Sequence, residues 1–397
     1  MWVTRVLGNC PGCGALNKFG NVSVQKSHVL RGCLSCQYSV HIPLPPLWKK
    51  ILYLDQFFFS HSFLEKDDRF VVAAHQISKI SADQLLLVPY SSVHEDESHQ
   101  WRGYRGKTKD DLMKFIKSTA RGHEFEPAYE VEQTQLARAF QNFRSEAPPT
   151  FKLQSDDALD GTIHDWDDYF WIDVGRYWGD TEKLKEAKRQ SVYALVDDAF
   201  EKWRQSTLTF EQQVAGEMRE AAKGYINAYI EFAARIGNGE LDAIFDAPLI
   251  SEYVSSLLHV LPPEDPDERL KTIFRFFVSE HFQEIPYLWL SARIYAVLKE
   301  MVKNGAYQNR EEAKTRLSGF FQDIKHVATY APYCDAFFMD KVMAHIVADP
   351  RINLEARFGV RVFSVNNWDS FLGWLNDLET GMSPEHRAGL SAAYPSR

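Results

Sequence analysis

Four short runs of apolar residues punctuate the chain, each unbroken by the polar alternation of a half-exposed strand. Ile51–Leu54 stops at Asp55, and Leu85–Val88 leads through Ser91 and Ser92 into the acidic cluster Glu95, Asp96, Glu97. Ala336–Met339 is flanked by Asp335 and Asp340, and the run at 360–365 opens a helical pattern carried by Trp368, Phe371, Leu372 and Leu375. Runs that are apolar on both faces read as strands of a parallel sheet covered by helices on both sides. Between the second and third runs the pattern changes to a 3.6-residue period with charged outer faces, at residues 184–203, 210–236 and 288–305. Gly305 closes the last of these as a C-cap. The aromatic cluster at 168–178 reads as packing anchors between helices, with base stacking as its alternative. Near the N-terminus, the segments VSVQ and HVLR alternate with period two and predict a short hairpin.

The pattern predicts an α/β fold: a mostly parallel sheet flanked by helices over 47–100 and 285–397, a large all-helical insertion over 101–284, and a small β module over 1–46. At 397 residues and 45% hydrophobic content, the chain can bury a large core. No apolar run reaches the ~20 residues that a membrane span needs, and the N-terminus lacks the shape of a signal peptide. A cytoplasmic protein with no membrane partner is the expectation. Loop-like stretches fall at 43–46, 145–149 and 158–168.

The β module contains the strongest local motif, two Cys-x-x-Cys pairs at Cys10/Cys13 and Cys33/Cys36. This spacing brings four thiolates to one tetrahedral ion, each pair forming a knuckle, and it predicts a structural zinc ribbon. Gly14 suits the positive φ of a knuckle turn. The alternative is two disulfides or four unrelated cysteines. The fifth cysteine, Cys334, stands apart.

Charge sharpens this picture. No acid precedes Asp55, whereas Arg5, Lys18, Lys26, Arg31, Lys49 and Lys50 put +6 on the first 54 residues. A zinc ion with four thiolates returns −2, leaving about +4. The other residues hold 39 basic against 54 acidic side chains, a net −15. Lys18, Lys26, Arg31, Lys49 and Lys50 are therefore the expected nucleic-acid-binding group. The ribbon read as a structural cap or protein-docking knob is the alternative.

The acids at strand ends are the candidate chemistry. A helix with Asp323 in its first turn and Ile324, Val327 and Ala328 as its buried stripe runs into the strand ending at Asp340. If the strands are neighbours in a parallel sheet, Asp323 and Asp340 lie beside Asp55. The plain alternative is a set of solvated helix starts and loop ends.

In this arrangement the chain resembles the PIN-like nucleases. LYLDQ supplies Asp55, PYSSVHEDE supplies Asp96 or Glu97, FQDIKHVATYA supplies Asp323 and AFFMDK supplies Asp340. The resemblance covers about 50–100 and 285–378, so the sheet would be PIN-like, with the ribbon and the helical insertion added to it. Phe57 stands where the family often has Asn, and the acids span an unusually long stretch. The resemblance implies a Mg²⁺- or Mn²⁺-dependent endonuclease, RNA favoured over DNA, with toxin or defence roles common in the family. Asp55, Asp323 and Asp340 would be metal ligands, and Asp96 or Glu97 would complete the set. Asp335 would be a further ligand or an acid at the strand start, and Ser91, Ser92 and His94 would lie outside the ligand set. His326, one turn after Asp323, reads as a packed or surface histidine. Two other readings stand beside this one: a non-catalytic zinc-ribbon adaptor or scaffold that binds nucleic acid or a protein partner through the helical insertion, and a regulator that keeps the nuclease fold without activity.

Overall fold

The computed structural model describes residues 2–101, 103–167, 190, 193, 196–243, 249–262, 265–317 and 319–395. The aromatic cluster at 168–178 lies outside these residues, as does much of the 184–203 pattern, whose described part at 196–204 is helical.

Four strands, β1 (Arg5–Gly8), β2 (Phe19–Gln25), β3 (His28–Cys33) and β4 (Ser39–Pro43), form an antiparallel sheet in sequential order. Gly20 lets β1 and β2 approach closely, because a Cβ there would lie 1.9 Å from the Arg5 carbonyl oxygen. The sheet does not swing free of the body. Val24, Val29, Leu44 and Leu47 share a small core with Trp166, Ala393 and Tyr394. Asn21 Nδ2 donates to the Ala393 carbonyl at 2.9 Å, and Trp166 Nε1 donates to the Pro45 carbonyl at 2.7 Å.

The second sheet consists of β5 (Lys50–Leu54), β6 (Leu86–Leu87), β7 (Ala336–Phe338) and β8 (Arg361–Phe363), all parallel, in the order β6-β5-β7-β8. All four apolar runs thus become neighbouring strands of one sheet. Its faces divide the side chains by strand alternation. Leu52, Leu54, Leu86, Ala336 and Phe338 face a core closed by α1 (Gln56–Phe63), α2 (Asp68–Ala82), α4 (Lys109–Ala120) and the helix Trp368–Thr380. Ile51, Tyr53, Leu87 and Phe337 face the larger core. That core is built by α5 (Ala128–Arg144) and the helices Phe210–Gly237, Pro286–Lys303 and Phe320–Tyr330, among others.

The expected helical insertion is therefore a wall of the α/β body. Leu112 and Ile116 of α4 pack on the first face, and Val131, Phe140 and Tyr225 join the core of the second, so packing runs across both boundaries at 100/101 and 284/285. A two-sided parallel sheet needs an apolar cover on each face, and the middle segment contributes to both.

Phe338 is fully buried at the sheet centre against Phe58, Phe70, Trp368 and Phe371. Phe338→Ala should cost about 3–5 kcal/mol in denaturant unfolding. A loss below about 1 kcal/mol would show that the sheet centre is not the packed core described.

Candidate active site

The connection from β5 runs to β6 on one side, while β7 connects onward to β8 on the other, so the strand order reverses between β5 and β7. Ligands of open parallel sheets sit outside the carboxyl ends of the strands at such a reversal. Asp55 follows β5 there, and Asp340 lies two residues after β7. The two strands are held level by the pairs Leu52↔Ala336, Tyr53↔Phe337 and Leu54↔Phe338, and by the Asp55 amide donating to the Phe338 carbonyl at 3.0 Å.

The helix Phe320–Tyr330 feeds β7 through a turn at 331–333, which places Asp323, in its first turn, over the same end of the sheet. Asp55, Asp323 and Asp340 line one cleft with Tyr53, His326, Phe337 and Met339. Its floor has about 10 Å³ of free space, room for about one water or small ion. Asp55 occupies the N-cap position of α1 without making a side-chain cap bond. Asp340 does cap its helix, Lys341–Val347: its Oδ1 accepts from the amides of Val342 at 2.6 Å and Met343 at 3.1 Å, which fixes the direction of Oδ2.

The fourth acid comes from α3 (Ser92–Gln100), tied to the start of α1 by Gln56 Nε2 donating to Ser98 Oγ at 3.1 Å. Val93, His94, Glu95 and Ser98 are buried on it, and Glu97, four residues after Val93 and three after His94, shares their side of the helix. Glu97 is the α3 acid whose charge bears on Asp323 and Tyr53.

Burial first, and then the neighbouring Asp340 carboxylate, push Asp55 up to about 6, against the opposing amides of Phe57, Gln56 and Asp340. Burial, then Asp55, Glu97 and Asp340, hold Asp323 well above the usual carboxylate range. Both causes penalise the charged form, and a cation would relieve both. Among the described residues, the acids are not drawn to one point as the cysteines are. A cluster of like charges with nothing between them stays apart.

Beneath the acids lies a buried polar chain that the apolar patterning did not reveal. Tyr53 Oη shares hydrogen bonds with Ser91 Oγ at 2.8 Å and His326 Nδ1 at 2.9 Å. The Ser91 amide donates to His94 Nδ1 at 3.0 Å, and His94 Nε2 donates to the Leu54 carbonyl at 2.8 Å, so His94 is neutral with its proton on Nε2. Burial holds the His94 ring down to about 4. His326 is 4% exposed and kept neutral, first by burial, and its Nε2 is buried without a hydrogen-bond partner. The sequence signals were Tyr53 in an otherwise aliphatic strand and a histidine one turn after Asp323.

Several expected site residues lie elsewhere. Asp335 stands at the opposite end of β7, where it accepts from Lys50 Nζ at 2.7 Å and the Ile51 amide at 2.8 Å, which removes it from the ligand set. Lys49 is 2% exposed and paired with Asp167 at 3.2 Å; burial pushes its ammonium down and Asp167 opposes that. Arg31 is held by Asn21 Oδ1 and the Ala392 carbonyl, both at 3.0 Å. Of the five expected phosphate-binding residues, Lys18 and Lys26 remain on the surface, the latter 3.9 Å from Asp165. Chain docking and ion pairing consume the others. Cys334 is buried, with Sγ 3.2 Å from the Tyr330 carbonyl.

The four other cysteines converge. Their sulfurs lie within 4.8 Å of one another, with Cys10–Cys36 and Cys13–Cys33 each at 3.8 Å. That is the edge of a tetrahedron around an ion with metal–sulfur distances of about 2.3 Å. Gly14 has φ +71°, and amides of Gly12, Ser35 and Tyr38 donate to the sulfurs of Cys10, Cys33 and Cys36. Desolvation pushes Cys33 up, but the Ser35 amide and neighbouring sulfurs bring it down to about 7. The Tyr38 amide favours the Cys36 thiolate, yet desolvation and the surrounding sulfurs drive it up to about 12.

No protein-family model, curated protein or solved structure matches this chain. No helix among the described residues is long and apolar enough to cross a membrane.

Asp55 yields a stability prediction. Its pKa rises from 3.8 to about 6 on folding, so the folded state retains a proton that the unfolded chain releases. Stability of the Mg²⁺- and Mn²⁺-free protein should therefore fall as pH rises from about 4 to about 6. Asp55→Asn should be more stable than the parent by about 1–3 kcal/mol at pH 7.5, with the two converging below about pH 4. A less stable variant at pH 7.5 would contradict the repulsive cluster.

Proposed function

We propose that this chain is a metal-dependent nuclease of the PIN-like type, acting on RNA in preference to DNA, with a structural zinc ribbon at its N-terminus. The observation that carries the reading is the group Asp55, Asp323 and Asp340 lining one cleft at the sheet's reversal point, with Asp55 and Asp323 both held above the ordinary carboxylate range. Carboxylate oxygens are hard ligands that suit Mg²⁺ or Mn²⁺. Bound there, such an ion would neutralise the cluster, lower the pKa of an attacking water and stabilise charge developing on a scissile phosphate.

The protein's own contribution is placement. Asp340 offers Oδ2 because its cap bonds occupy Oδ1. Asp55 stands at the start of α1 with the Gln56, Phe57 and Asp340 amides around its carboxyl, which set its orientation toward the cleft. Glu97 stands on α3 with its charge bearing on Asp323, and it would orient water or complete the ligand set. The preference for RNA follows the PIN-like resemblance. Lys18 and Lys26 offer the ribbon's remaining phosphate contacts.

In the ribbon, four sulfurs at tetrahedral spacing leave no open position, so its zinc serves folding rather than chemistry. One observation favours the adaptor reading: Trp2, Leu16 and Trp48 are 80%, 72% and 73% exposed on or beside this module. Exposed apolar groups of this kind suit a docking surface.

Elemental analysis of freshly purified protein should give one zinc per chain; less than about half an equivalent would contradict the closed site. With Mn²⁺ and labelled RNA, the full chain should cleave, and Asp55→Asn or Asp323→Asn should slow cleavage about a hundredfold or more while leaving RNA binding in place. If the parent protein cleaves neither RNA nor DNA, the adaptor reading replaces the nuclease.

A further inference from the structure

We infer that His326 is a ligand in the acid cleft, making the site a mixed imidazole–carboxylate centre for a first-row transition-metal dication rather than a carboxylate site suited to Mg²⁺. The inference rests on the acid cleft being a metal site.

His326 lies three residues after Asp323 on one helix, so the two side chains share a helical face, and both line the cleft with Asp55 and Asp340. Its ring is 4% exposed. Nδ1 is engaged by Tyr53 Oη at 2.9 Å, whereas Nε2 is buried with no hydrogen-bond partner. Leaving a buried polar atom unmatched is costly, so a built site with one such atom points to a missing partner.

The hydrogen-bond chain indicates which partner. Tyr53 has one hydroxyl proton and two neighbours, Ser91 Oγ and His326 Nδ1. If Tyr53 gave its proton to Nδ1, Nε2 would be a buried N–H donor in a cleft whose polar lining is mainly the carboxylates of Asp55, Asp323 and Asp340, where an acceptor is the natural partner. It takes none. In the other arrangement, Nδ1–H donates to Tyr53 Oη, Tyr53 donates to Ser91 Oγ, and Nε2 presents a bare lone pair. Metal-binding histidines are held in this way, the far ring nitrogen donating to a fixed acceptor that sets tautomer and orientation. Tyr53 is the positioning residue here, buried and stacked between His94 and Tyr330. Imidazole nitrogen favours transition metals, whereas Mg²⁺ keeps to oxygen.

The test uses the full-length, zinc-loaded chain with one added equivalent of Mn²⁺. Pulsed electron paramagnetic resonance should show the ¹⁴N modulation of a directly coordinated imidazole. His326→Asn, which keeps a group near the Nδ1 position and removes Nε2, should abolish that modulation. It should also weaken Mn²⁺ about tenfold or more while changing Mg²⁺ affinity less than about twofold. Asp323→Asn should weaken both ions. If the parent protein shows no nitrogen modulation while Asp323→Asn still weakens Mn²⁺, the imidazole ligand is overturned and the acid site stands. If Asp323→Asn leaves Mn²⁺ binding unchanged, or the parent binds no Mn²⁺, the acid site itself falls and this inference falls with it. The parent spectrum needs no variant to fold.

Discussion

The parallel register of β5 and β7 is the constraint on which the rest of the site depends. With Leu54 opposite Phe338, the chain leaves both strands at the same level, and Asp55 and Asp340 emerge side by side at the edge of a dry core. Asp55 directly follows a strand buried on both faces, and Asp340, two residues past β7, is held by its cap bonds to Val342 and Met343. A third carboxylate, Asp323, is added by the helix that leads into β7. The backbone thus imposes a repulsion that side-chain packing alone would not produce, which is a common way for a functional site to be maintained against stability.

The surrounding structure holds that arrangement rigid. One face of the sheet is closed by helices around Phe58, Phe70 and Phe371, the other by long helices of the middle segment together with Pro286–Lys303 and Phe320–Tyr330. Tyr53, Ser91, His94 and His326 form a hydrogen-bonded floor within the second core, so the groups beneath the acids have fixed rotamers. At the opposite end of the sheet, Asp335 and Lys50 pair and complete the start of β5. Acids at the two ends of β7 therefore have different lives: one is satisfied by a cation of the chain, whereas the others share a cleft.

Much of this was legible in the sequence because parallel strands are apolar on both sides. Ile51–Leu54 and Ala336–Met339 could be read as buried strands, and the strand-end acids followed from where those runs stop; that the two strands are adjacent comes from the structure. The cysteine spacing and Gly14 likewise foretold the four-sulfur cluster. What could not be read was long-range. Lys49 and Arg31 are basic residues in sequence, but burial beside Asp167 and hydrogen bonding to Ala392 are facts of docking between segments far apart in the chain. The same limit applies to the helical middle: its amphipathic periodicity marks an apolar stripe without saying what that stripe covers, and it covers the sheet. In sequence His326 reads as a packed histidine, since a lone histidine on an apolar face is usually that; its unmatched nitrogen emerges only once Tyr53 is seen against the other ring atom.

The most direct test of the central claim is an anomalous difference map from crystals of the full chain grown with Mn²⁺. The account places a manganese peak between Asp55, Asp323 and Asp340, with the carboxylates drawn inward to about 2.1–2.2 Å from the ion. A well-ordered cleft with no peak, or one in which a lysine or arginine of the chain neutralises the acids, would contradict it.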